Sequence, residues 1–236
     1  MENKNVIITG GTRGIGRALA IKFKSEGYGV IVSYLNNEAA AKKLNDEYGV
    51  LSVRANSGVY GDVKNLFDTA EQKLGKIGGV IVNAGVAVKQ KPVFDVSEEE
   101  FNTLIETNVK GTFLTVKEAA LRLWQTGGKI ITVSSVWGIE PAPCEAAYAM
   151  TKAGVIALTK SVAEELSGSG VIACSVAPGL IDTDMNAGLT ESEKLEFVRR
   201  YGLTAVPTAC AAAEKIYGRY VKLKPTDSGK VFKIFC

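Results

Sequence analysis

The sequence contains no histidine, and its 236 residues include only four cysteines, three methionines and two tryptophans. Without histidine, the Ser-His-Asp and Cys-His routes to nucleophilic catalysis are closed. Imidazole-based zinc sites are closed too. Cys144, Cys174, Cys210 and Cys236 lack metal-ligand spacing, so no metal is expected. They read as reduced thiols of a cytoplasmic protein. Charge of one sign is not concentrated anywhere: 28 Lys+Arg against 25 Asp+Glu leave a formal net charge of +3, scattered along the chain. That pattern offers no basic face, and nucleic acid is not expected as a partner. No stretch approaches the ~18 continuous apolar residues of a membrane span. The opening "MENKNVIITGG" lacks the charged start, apolar run and cleavage site of a secretory signal. A cytoplasmic protein with one core and no membrane partner is expected.

Short apolar runs alternate with longer amphipathic stretches, the pattern of a parallel sheet covered by helices. Strands are predicted at "NVIIT" (5–9), "GVIVSY" (29–34), "LSVR" (51–54), "GVIVN" (79–83), "KIITVSS" (129–135), "VIACSVA" (171–177) and "KVFKIF" (230–235). Their unbroken Val/Ile character suits strands buried on both faces. Helices are predicted near 13–26, 38–48, 62–74, 97–124, 147–167 and 208–222. The fourth opens on "SEEE", a capping box from Ser97 to Glu100. No repeat or linker divides the chain, so 1–236 reads as one α/β domain.

The first strand runs into "TGGTRGIGRALA", where Gly10, Gly14 and Gly16 stand between a buried strand and a helix start. Glycine there permits positive φ and close approach of a ligand to the backbone. The helix N-terminus beyond offers free N–H groups and partial positive charge to a pyrophosphate. In dinucleotide-binding folds an acid ending the second strand commonly holds the ribose 2′-hydroxyl. Here that strand ends "SYLNN", without one. A 2′-phosphate would meet no carboxylate, and Arg13 can pair with it. NADP(H) is therefore expected over NAD(H).

"AAYAMTKAG" (146–154) sets Tyr148 one helical turn before Lys152, a spacing repeated at Tyr60/Lys64 and Tyr220/Lys224. Only context separates the three. A phenol has a reference pKa of about 10. At ~4 Å and an effective dielectric of ~20, an ammonium attracts a phenolate by on the order of 4 kcal/mol. That equals roughly three pKa units at most, enough to bring the phenol toward acid/base range. Ser135 ends an apolar strand at the edge where doubly wound sheets bind ligands, and its hydroxyl would hold a substrate oxygen. Asn108 falls on the apolar stripe of Phe101, Leu104, Ile105, Val109, Val116 and Leu123, so a buried, hydrogen-bonded amide is expected. The other two Tyr/Lys pairs lack such surroundings and read as solvated faces.

Taken in order, "TGGTRGIG" (9–16), "NAG" (83–85), Asn108 in "TNVKG", Ser135, Tyr148 with Lys152, and "PG" (178–179) before "LIDTDM" resemble the motifs of the short-chain dehydrogenase/reductase family. The resemblance implies a Rossmann sheet, doubly wound in the order 3-2-1-4-5-6-7, an NAD(P)(H)-dependent oxidoreductase, and a homodimer or homotetramer. It implies a catalytic set of Asn108, Ser135, Tyr148 and Lys152, with Asn108 anchoring a water toward Lys152. Coenzyme contacts are implied for Gly10, Thr12, Arg13, Gly14, Ile15 and Gly16 in the glycine loop, and for Tyr34 and Asn56. They are implied as well for Asn83, Ala84 and Gly85, for Tyr148 and Lys152, and for Pro178, Gly179, Ile181 and Thr183. The central motifs are most similar to 3-oxoacyl-[acyl-carrier-protein] reductases of fatty acid synthesis. That implies a keto substrate, either a 3-oxoacyl thioester or a related ketone.

Three positions depart from that pattern. Asn56 stands where the family has an adenine-contacting Asp, though its side-chain carbonyl can accept the same proton. Ser169 stands where the carrier-protein reductases place a docking arginine, and the end "SGKVFKIFC" lacks the family's usual terminal motif. Acyl carrier protein is thus an open partner. A substrate loop is expected at about 185–207, with Trp137, Ile139, Pro143, Cys144, Leu180 and Met185 forming an apolar substrate wall or part of the core. Two other functions use the same residues: a non-catalytic nucleotide sensor, and a sugar-nucleotide epimerase or dehydratase. The intact Ser/Tyr/Lys/Asn set argues against the first, and the short span after "TDM" against the second.

Overall fold

A computed structural model describes residues 3–235; Cys236 lies outside the described residues. Seven strands form one parallel sheet: β1 (Asn5–Ile8), β2 (Gly29–Tyr34), β3 (Leu51–Arg54), β4 (Gly79–Val82), β5 (Gly128–Val133), β6 (Val171–Pro178) and β7 (Val231–Ile234). Their order is β3-β2-β1-β4-β5-β6-β7, all neighbours parallel. The direction of strand succession reverses between β1 and β4, which opens a crevice at their carboxyl ends.

Strand residues alternate between two cores, as a period of two requires. Val6, Ile8, Val30 and Val32 pack with Leu19 and Phe23 of α1 (Gly14–Ser25), Leu44 of α2 (Glu38–Tyr48) and Ile216 of α8 (Ala209–Lys222). Ile7, Ile31, Val80 and Val82 pack on the other side with Leu66 and Phe67 of α3 (Tyr60–Leu74), Val116 of α5 (Thr112–Leu123) and Val162 of α6 (Ala146–Glu165). Both faces are covered, which is why these strands read as continuous apolar runs.

Two elements differ from the sequence expectation. The stretch 97–124 is not one α-helix. α4 (Glu98–Leu104), which does begin with the Ser97/Glu100 capping box, gives way to a wider π-type turn over Ile105–Gly111 before α5 resumes. Asn108 sits in that turn, and such local widening commonly accompanies functional positions. The second difference is α7 (Glu191–Arg200), a helix inside the expected substrate loop. It starts with a second capping box, Thr190 to Glu193, a signal present in "TESE".

Tyr220 also corrects the reading of its pair as a solvated face. It is 1% exposed, its ring set edge-on to Phe23 at 4.9 Å, because it lies on the side of α8 that packs against α1. Tyr60 is partly exposed, and its Oη donates to Glu118 Oε2 at 3.0 Å. Lys64 turns instead to Asp68, 3.9 Å away. The cation over the Tyr60 ring is Lys117, 4.5 Å from its centre, rather than Lys64.

Candidate active site

The carboxyl ends of β1, β4, β5 and β6 border one cleft of about 480 Å³. Every residue expected to touch a coenzyme lines it, and so does Ser135; Asn108 stands behind its wall.

The glycine loop is shaped by contacts only glycine allows. Gly10 and Gly14 have φ of 65° and 51°, in the left-handed region. A Cβ on Gly16 would stand 2.3 Å from the Gly10 carbonyl oxygen and 2.5 Å from Asn83 Nδ2. Asn83 ties this loop to β4: its Nδ2 donates to the Thr9 and Gly10 carbonyls at 2.9 and 3.2 Å. Thr9 Oγ1 accepts from the backbone N–H groups of Asn83 and Ala84, both at 3.0 Å. Two strand ends are thereby clamped around an open helix N-terminus. Those backbone donors, and a cradle that any Cβ would fill, fit a dinucleotide pyrophosphate.

At the β2 end of the cleft, Tyr34, Asn36, Asn37 and Arg13 form the lining, with no carboxylate among them. Arg13 is exposed and has no ion-pair partner among the described residues. Asn37 instead caps α2, accepting from Ala40 N at 2.9 Å. Asn56 Oδ1 accepts from Gly58 N at 2.9 Å, so its orientation is set by its own loop.

At the other end, Ser135 follows β5, which stops at Val133 rather than at the expected residue 135. Ser135 Oγ accepts from Trp137 N at 3.2 Å, opening a 3-10 turn, and the residue lines the same cleft as Tyr148. Ser134 ties the strand end to the helix that carries the pair: its Oγ donates to the Lys152 carbonyl at 2.7 Å. Gly138 lets the 3-10 turn lie against the same helix, since an added Cβ would meet the Lys152 backbone at 2.7 Å.

The Tyr148–Lys152 pair differs from the simple electrostatic expectation. Lys152 is buried, its Nζ donates to the Val133 carbonyl at 3.0 Å, and it stands 5.7 Å from the Tyr148 ring centre. Burial pushes the lysine down to about 8. Burial, followed by the charge of Glu145, pushes the Tyr148 phenol up, against a smaller lowering effect of the neighbouring Ser135 hydroxyl. Desolvation is the leading cause for both groups. The phenol therefore holds its proton firmly.

Asn108 is fully buried, and its amide is engaged on both sides. Oδ1 accepts from Val86 N at 2.8 Å, while Nδ2 donates to Val86 O at 2.9 Å and to Thr151 Oγ1 at 3.2 Å. It clamps the segment after β4 to α6, and both Asn108 Oδ1 and Lys152 Nζ border Gly85.

Of the expected apolar wall, Trp137, Leu180 and Met185 line the cleft. Ile139, Pro143 and Cys144 do not: they are exposed on the turn before α6, where Cys144 has φ of 61°. The wall gains Phe197 of α7 behind it, edge-on to Trp137 at 6.0 Å and pressed on Gly179, where an added Cβ would meet it at 2.6 Å. The altered C-terminal segment holds this arrangement. Phe235 stacks on Tyr201 at 4.7 Å, and Glu140 accepts from Tyr201 Oη at 2.6 Å and from Lys233 Nζ at 2.5 Å. Ser169 caps the α6–β6 turn, donating to Leu166 O at 2.7 Å.

Among the described residues, no cluster of Cys, Asp or Glu is arranged to hold a metal ion, and no helix is long and apolar enough to cross a membrane.

Residues 4–194 match the family described as short chain dehydrogenase. The chain is 34% identical over 233 residues to the 3-oxoacyl-[acyl-carrier-protein] reductase FabG of Staphylococcus aureus, covering 96% of this chain and 92% of the relative. It is 35% identical over 204 residues to a 3-oxoacyl-[acyl-carrier-protein] reductase of Synechocystis sp., covering 83% and 82%. Its fold superposes on 3-ketoacyl-(acyl-carrier-protein) reductase from Brucella melitensis, solved in complex with NADH. The TM-score is 0.91 at 24% identity, over 99% of this chain and 97% of that one. ElxO with NADP bound superposes with a TM-score of 0.83 at 25% identity, over 98% and 97%. The chain belongs to the short-chain dehydrogenase/reductase family of NAD(P)-dependent oxidoreductases.

Proposed function

We propose that this protein is an NADP(H)-dependent reductase that converts a keto group, on a short 3-oxoacyl thioester or related ketone, to an alcohol. The observation that carries the reading is the convergence of Ser135, Tyr148 and the anchored Lys152 in the same cleft as the glycine cradle. A reduced nicotinamide, held by the glycine loop and the β6 end, would supply the hydride for the carbonyl carbon. Ser135 holds the carbonyl oxygen. As the C=O electron pair moves onto that oxygen, Tyr148 Oη gives up its proton to it. Lys152, anchored on Val133 O, places positive charge behind the phenol as phenolate develops. Asn108 fixes the α6 turn that carries both groups.

Arg13, together with the carboxylate-free lining beside Asn36 and Asn37, supports NADP(H) as the coenzyme. Titration calorimetry is expected to show NADPH binding tighter than NADH, and Arg13→Ala is expected to narrow the gap by about 1–2 kcal/mol. NADH bound more tightly by the wild type would contradict this choice. Substrate loading is expected to follow Ser169: with its hydroxyl committed to Leu166, it offers no cation to acyl carrier protein. A carrier-loaded 3-oxoacyl group should then react no faster than its short thioester analogue, and a gain of tenfold or more would overturn that. A homodimer or homotetramer is supported by the exposed apolar residues Phe113, Leu121 and Trp124 around α5 and Met150 on α6. A monomer in sedimentation velocity would contradict it.

A further inference from the structure

Glu145 has no part in the chemistry described above, yet its side chain lines the cleft together with Tyr148, Trp137 and Met185. It occupies the N-cap position of α6, where an acidic side chain ordinarily folds back onto the first free N–H groups. Here it makes no capping bond. Its Oε1 instead accepts from Gln90 Nε2 at 2.8 Å, and Lys91 N donates to the Cys144 carbonyl at 3.0 Å, so the two segments are fastened side by side. The left-handed Cys144 immediately before it turns the chain into the helix.

The charged side chains lining the cleft are Arg13, Lys152, Glu145 and Asp184. Arg13 belongs to the glycine loop, and Lys152 is buried with its Nζ on the Val133 carbonyl. Lys91, next to Gln90, is paired with Glu100 at 2.7 Å. From α6 the titratable group beside Glu145 is Tyr148; from the segment after β4 it meets the neutral Gln90; from the segment after β6 the cleft receives Asp184. Among the described residues Glu145 forms no ion pair, and Arg200, whose guanidinium lies 5.6 Å from the Trp137 ring centre, is paired with Glu140 at 3.5 Å.

Resting on the reductase reading, we infer that Glu145 is a specificity-determining residue: its carboxylate makes the substrate end of the cleft select neutral or cationic ketones and reject anionic ones. The same charge opposes ionisation of the Tyr148 phenol.

The test compares three ketones of similar size in wild type and Glu145→Gln: acetoacetate, its methyl ester and a dimethylamino ketone. Binding of each to the NADPH-loaded protein is titrated alongside turnover. The wild type is expected to disfavour acetoacetate against the amino ketone, and Glu145→Gln to shrink that ratio by about tenfold, with NADPH affinity unchanged. The pH profile for oxidation of the corresponding alcohols should move to lower pH in Glu145→Gln, because removing the negative charge lowers the phenol pKa. A merely structural role for Glu145 would leave that profile in place. Equal charge discrimination by the two proteins, in binding and turnover, overturns the inference. Discrimination in binding with no turnover of any ketone overturns the reductase reading and leaves the role of Glu145 standing.

Discussion

Replacing Tyr148 with phenylalanine is expected to lower carbonyl reduction by about 10²–10⁴-fold, the usual loss when a general acid is removed. The ring keeps its place over Lys152, so packing survives. NADPH affinity should change little, since the glycine cradle, Asn83 and the β6 end remain. The fall should appear in kcat, because proton donation is required in the transition state and not in binding. Tyr60→Phe and Tyr220→Phe are the controls. Each has a lysine at the same spacing, and each serves the fold instead: Tyr60 through Glu118, and Tyr220 through the aromatic cluster with Phe23 and Tyr28. Their turnover should stay near wild type. Tyr220→Phe should cost stability on the order of 1 kcal/mol, from loss of a buried hydroxyl's interactions. A folded Tyr148→Phe protein retaining most of its reductase activity would remove this tyrosine from the chemistry.

Lys152→Met is the second large effect. Methionine keeps the apolar stem and deletes the ammonium, leaving the Val133 carbonyl without that donor. Carbonyl reduction should fall by about 10²-fold or more, because the developing phenolate loses the nearest positive charge. The pH dependence separates this from simple damage to packing. A lysine lowered to about 8 is charged below that pH and neutral above it. Wild-type reduction should therefore decline as pH rises through about 8, and the Lys152→Met profile should lack that step. A Lys152→Met protein with the same alkaline decline would assign the titration to another group.

The parts of this molecule legible in the sequence are those governed by local rules. Strand positions followed from Val/Ile runs buried on both faces, and the glycine loop from the strand, turn and helix that frame it. Asn108 stood out because an amide interrupts an apolar stripe, and burial of that position is what the fold contains. The rest depends on contacts between distant segments. The π-type turn arises where Asn108 reaches Val86 and Thr151, which no helical periodicity encodes. Tyr220 is buried because α8 packs on α1, a pairing invisible in its local basic surroundings. The pull of Lys152 on Tyr148 was judged from helical spacing alone, and Val133 O redirects the ammonium. Glu145 and Glu140 have no role legible in the sequence because their partners lie 55 and 93 residues away. Only α7 was within reach, since its capping box repeats the pattern that marks α4.

Isotope transfer tests the central claim most directly. The wild type is incubated with NADPH carrying deuterium at the transferable position of the nicotinamide and an acetoacetyl thioester, and the alcohol is analysed by mass spectrometry and NMR. The expected result is one deuterium on the carbinol carbon, formed with one NADPH consumed per alcohol and nearly lost in Tyr148→Phe. A protein that binds NADPH yet forms no deuterated alcohol from this thioester or from simple ketones would contradict the assignment as a carbonyl reductase.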